Sequence, residues 1–124
     1  MLLRTLGFSL LALAALTPAA ALTARSATCG SPPADWKASR PDKAQVVNTV
    51  AISKGEGRVL TWNGSPVTPK QLREYFQIVK ALNPSPTLVL VVSPSAHCGE
   101  VRRLRQMIQE TLRCDGGQCV EVGA

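Results

Sequence analysis

The side chains with chemical reach in this chain are four cysteines, a single histidine, scattered serines and eight carboxylates. His97 directly precedes Cys98, the one juxtaposition of a base with a thiol nucleophile. Neighbouring residues rarely bring base and thiol into hydrogen-bond register, and no third group stands near to orient the imidazole. Ser93 and Ser95 flank the pair without the glycine framing of a nucleophile elbow. Glu100 and Glu110 lie ten residues apart, about 15 Å along a helix, too far to share one acid–base task. No glycine-rich loop that could cradle a phosphate precedes either predicted helix. The residues therefore predict neither enzymatic chemistry nor a bound cofactor.

The cysteines fit a structural role better. Cys29, Cys98, Cys114 and Cys119 form an even set in a short chain, which predicts two disulfides in an oxidising compartment. Between Cys114 and Cys119 stand only Asp115-Gly116-Gly117-Gln118, whose glycines let the chain double back. Those two are expected to pair, leaving Cys29–Cys98 to staple the N-terminal segment to the domain. Zinc is the competing reading, and the spacings lack the paired C-x-x-C knuckles of such sites.

The N-terminus agrees with export. Met1 to Arg4 is short and basic, Leu6 to Leu22 is apolar and uncharged, and Pro18 precedes the small residues Ala19-Ala20-Ala21. This is the layout of a signal peptide over residues 1–21. A retained membrane anchor over residues 6–22 is the alternative, at the lower limit for spanning a bilayer. Ser26-Ala27-Thr28 before Cys29 does not match a lipidation signal.

The formal charge of +6, from 14 basic and 8 acidic residues, suits contact with an acidic partner or an anionic polymer. Its aromatics (Phe8, Trp36, Trp62, Tyr75 and Phe76) are not interleaved with bases. Nucleic acid is therefore not an expected partner.

Residues 22–44, with Ser31-Pro32-Pro33 and Pro41 and no periodicity, read as a flexible arm, and the ordered domain spans 45–122. Val46, Asn48, Val50 and Ile52 alternate with their neighbours as a strand does. Lys54-Gly55-Glu56-Gly57 turns it into a second strand, Arg58 to Trp62. Asn63-Gly64 is a strong two-residue turn signal, and Ser65-Pro66-Val67 follows as a short edge piece. Thr68, Pro69 and Gln71 then make an N-cap, a first-turn proline and a capping box. Leu72, Tyr75, Phe76, Val79 and Leu82 give this helix one apolar stripe, which Asn83-Pro84 ends. Leu88 to Val92 is apolar on both faces, as a central strand is. A second helix over Gly99 to Arg113 buries Val101, Leu104, Ile108 and Leu112, and Cys119 to Val122 is the last strand.

This β-β-α-β-α-β order predicts an α+β two-layer sandwich, with two helices on one face of a small mixed sheet. Arg102, Arg103, Arg105 and Arg113 are assigned to the outer face of the second helix. Two readings of that face stay open. It is a solvated surface with Glu100–Arg103 and Glu110–Arg113 pairs, or Arg102, Arg103 and Arg105 form a partner-binding surface. The sheet edge is equally open to two readings: it accepts an added strand, or Pro66, Lys54 and Arg58 guard it.

The run Val50 to Val122 resembles the periplasmic domain of the ExbD/TolR family of biopolymer-transport proteins. The likeness rests on Val50-Ala51-Ile52-Ser53, the stretch Val59 to Thr68 with its Asn63-Gly64 turn, Leu72, Asn83-Pro84, Leu88 to Val92 and Gly99-Glu100-Val101, all in order. The resemblance implies a periplasmic setting and a non-enzymatic role in envelope energy transduction or transport. Implied partners are proteins of the ExbB/TolQ or TonB/TolA type or a second copy, with cell-wall polymer or another acidic partner as the alternative. Family members carry a proton-coupling aspartate in a transmembrane helix, whereas Leu6 to Leu22 holds no acidic residue. Ser93 also stands where the family's central strand ends in an acid, and the family generally lacks these cysteines. The resemblance therefore implies an accessory without proton coupling of its own.

Overall fold

A computed structural model of the chain describes residues 29–42, 46–53 and 59–124. The segments read as signal peptide or anchor, and the turn at residues 54–57, lie outside the described residues.

Seven elements follow in chain order: β1 (Val47–Ser53), β2 (Val59–Trp62), β3 (Ser65–Pro66), α1 (Pro69–Lys80), β4 (Thr87–Val92), α2 (Cys98–Thr111) and β5 (Cys119–Gly123). Their sheet runs β3-β2-β1-β4-β5. β1 is antiparallel to β2 and parallel to β4, and β4 is parallel to β5. Each parallel step contains a helix, as a crossover must. The expected α+β two-layer architecture is thus present.

Local chemistry accounts for the elements. Asn63 and Gly64 take φ of 49° and 86°, the left-handed pair that a tight hairpin turn between right-twisted strands requires. The Thr49 N–H donates to Asn63 Oδ1 at 2.7 Å, and the Asn63 N–H donates to Thr49 O at 2.8 Å. The Asn63 side chain thereby extends the β1–β2 ladder by one bond. Thr68 and Gln71 form the reciprocal capping box: the Gln71 N–H reaches Thr68 Oγ1 at 3.1 Å and the Thr68 N–H reaches Gln71 Oε1 at 2.9 Å. α1 stops at Lys80, earlier than its stripe suggested, so Leu82 lies beyond the helix and is about half exposed. Pro84 disfavours helical backbone at Asn83 just before it.

The core lies between the sheet and the helices. Val50, Ile52, Leu88 and Leu90 meet Leu72 and Phe76 of α1 and Val101, Leu104 and Ile108 of α2 in one buried cluster. Trp62 stacks on Tyr75 with centroids 5.4 Å apart and meets Phe76 edge-on.

Two expectations need correction. The segment read as a flexible arm is, from Cys29 to Lys37, part of the packed domain. Trp36 is buried in the core cluster and donates from Nε1 to Gln109 Oε1 at 2.6 Å. A lone aromatic in a proline-rich stretch has no period to announce it, so burial there is decided by tertiary packing. Lys37 then bridges Val120 in parallel: its N–H donates to Cys119 O at 2.9 Å, and its carbonyl accepts from the Glu121 N–H at 3.0 Å. Arg105, expected on the outer face, is buried at 7% exposure. Its place follows from spacing, since 101, 104, 105 and 108 are the i, i+3, i+4, i+7 positions of one face.

Candidate functional site

Both cysteine pairs are bonded as expected, Cys29 to Cys98 and Cys114 to Cys119. No free cysteine remains among the described residues, so the zinc reading of these four gives way to disulfides. Cys98 beside His97 is a half-cystine at the start of α2. Ser93 and Ser95 turn toward each other, with their hydroxyls 3.0 Å apart. Gly117, with φ of 84°, lets the Cys114–Gln118 turn close. A Cβ there would also stand 2.8 Å from Lys37 Cε, a contact the flexible lysine side chain can relieve, so the positive φ is what requires glycine.

The three arginines offered as one surface separate. Arg105 turns inward and binds Glu121 in a two-point pair, Nε to Oε1 and Nη2 to Oε2, each at 2.8 Å. Its remaining N–H groups donate to the backbone carbonyls of Gly30 at 2.9 Å, Cys29 at 3.0 Å and Ser31 at 3.5 Å. A guanidinium used in this way has nothing to offer a partner. Arg102 is exposed over a shallow cleft beside Cys29, Ser31 and Pro33. Arg103, the next residue and so about 100° further round the helix, is exposed on a different feature.

That feature is a groove of about 600 Å³ lined by residues of α1, α2 and the sheet. Its floor is apolar: Ile52 of β1, Leu60 of β2, Val67 before α1, and Leu104 and Met107 of α2. Pro69 and Arg73, one turn apart on α1, form one wall. Glu100, Arg103 and Glu110, three and seven residues apart on α2, form the facing wall. Glu110 Oε1 also accepts from Gln106 Nε2 at 2.9 Å. Side chains of both signs thus ring an apolar floor, the composition of a surface that takes an apolar side chain and orients it by polar contacts at the rim. The capping box fixes where α1 begins, and so where Pro69 and Arg73 stand.

Sequence reasoning selected Arg103 but not the groove, because its floor is assembled from three strand and loop positions far apart in the chain. The sheet edges, weighed as an alternative, are each partly covered. One carries Lys37 on β5, and the other ends in the two-residue β3, whose Pro66 has no N–H to donate. Among the described residues no cluster of histidines, cysteines and carboxylates could hold a metal ion, and no helix is long and apolar enough to cross a membrane. Comparison with known proteins returns no match: no family profile, no curated relative and no solved structure aligns with the chain.

Proposed function

We propose that the chain is an exported, non-enzymatic interaction module of the cell envelope that binds a protein partner in the groove between α1 and α2. The observation that carries this reading is the groove itself, an open apolar floor between two helices with Arg73, Arg103, Glu100 and Glu110 at its rim. Two disulfides suit an extracytoplasmic compartment. The order of elements and the Asn63-Gly64 turn support a likeness to the periplasmic domain of ExbD/TolR proteins. On that reading the module is a periplasmic accessory of envelope energy transduction or transport that lacks a proton-coupling aspartate. Its partner is a TonB/TolA- or ExbB/TolQ-type protein, or a second copy.

NMR on the oxidised chain, detecting both side-chain methyls and backbone amides, tests this. Purified periplasmic domains of TonB-, TolA-, ExbD- and TolR-type proteins are titrated in turn, and isolated cell wall is added in a separate arm. The reading expects shifts confined to Ile52, Leu60, Leu104 and Met107 with one of the protein domains. Shifts with cell wall alone, centred on Arg102 and Arg103, would move the function to polymer binding. No response to any of these would contradict the proposal.

A further inference from the structure

The two disulfides sit in different surroundings. Cys114 and Cys119 are buried, at 3% and 0% exposure. Cys29 and Cys98 are both partly exposed, and Cys29 lines the shallow surface cleft whose rim carries Arg102. Cys98 is the first residue of α2. A helix N-terminus stabilises a thiolate, and a stabilised thiolate leaves readily in thiol–disulfide exchange. Cys29 thus borders a surface that an attacking thiol can approach, and Cys98 is placed as a leaving group.

What the exposed bond holds is as specific as the bond. It closes a sequence separation of 69 residues and ties down the segment that runs on to Lys37. The same segment places three carbonyls on Arg105, puts Trp36 into the core and covers the edge of β5 with Lys37.

We infer that Cys29–Cys98 is a selectively reducible latch that holds the Cys29–Lys37 segment on the β5 edge, while Cys114–Cys119 is a permanent structural bond. The co-reactant is a dithiol reductant, small or protein-borne. Its thiolate attacks Cys29 Sγ, a mixed disulfide with Cys29 forms, the Cys29–Cys98 bond breaks, and Cys98 departs with the electron pair. The second thiol of the reductant, as its thiolate, then displaces Cys29 and closes the reductant's own disulfide. Two electrons pass to the protein, and the two protons lost by the reductant end on Cys29 and Cys98. Without the covalent tie, the segment stays docked only through its non-covalent contacts, and the β5 edge opens more often.

Timed treatment of the oxidised full chain with dithiothreitol, alkylation and peptide mapping tests the selectivity. Cys29 and Cys98 should label together, on the order of tenfold or more faster than Cys114 and Cys119, as accessibility and leaving-group quality dictate. Equal labelling of all four, or earlier labelling of Cys114 and Cys119, would overturn the inference. Hydrogen exchange on a double variant, C29S with C98S, tests the latch. The Lys37 and Glu121 amides, bonded across the β5 edge, should lose protection while those of β1 and β4 keep theirs. Unchanged protection at Lys37 and Glu121 would overturn it, and so would unfolding of the variant, because a latch must open without loss of the domain.

Discussion

Arg105 uses its guanidinium to join three stretches of chain: α2, β5 and the Cys29–Ser31 segment. Taking a cation and a carboxylate out of water is costly, and the cost is offset here because the pair is two-pointed and the other donors find carbonyls. The sharp penalty comes from removing one member only. Arg105→Leu is expected to destabilise the fold by about 3–5 kcal/mol, because Glu121 is left buried and charged without its partner. Adding Glu121→Leu should restore much of that loss. Guanidinium melts of the single and double variants check this, and a double variant as unstable as the single would contradict the pairing. The signal was present in the sequence. A basic residue stands on the apolar face of α2, and an acidic one stands two residues after Cys119 on the inward side of β5. Each looks misplaced alone, and together they are complementary. Trp36 carried no such sign, since no periodicity surrounds it and only the folded core explains its burial.

Elements with dense local signals formed where their residues indicated. Thr68-Pro69-Lys70-Gln71 carries cap, first-turn proline and return bond within one turn, and α1 begins there. Thr68→Ala should cost about 1 kcal/mol, because the Gln71 amide loses its acceptor at an exposed helix end. Denaturant melts measure this, and a change below a few tenths would show that the cap does not hold the helix start. Asn63-Gly64 likewise fixed the β2–β3 reversal through left-handed backbone that few residue types accept. Boundaries without such chemistry drifted. α2 begins at Cys98, one residue before Gly99, and ends at Thr111, short of Arg113, where no cap residue was available to mark the change.

At the scale of the whole molecule, alternating strands, two amphipathic helices and one continuous apolar strand were sufficient for the α+β sandwich, because a single arrangement buries all three apolar surfaces at once. The groove was not legible in the same way. It is lined by residues of two helices and two strands together, so it depends on helix placement over the sheet and not on any residue pattern. The groove and the cleft that Cys29 lines are neighbours along α2, and Gln106 and Glu110 border both. Calorimetric titration of the oxidised chain with the partner domain found by NMR tests the groove most directly, using Met107→Glu to place a charge on the apolar floor and Arg102→Glu as a control outside it. A buried charge without a partner is costly enough that Met107→Glu should weaken binding by about tenfold or more while Arg102→Glu binds as the unaltered chain does. Equal affinity for Met107→Glu and the unaltered chain, with the fold intact by circular dichroism, would show that partners bind elsewhere.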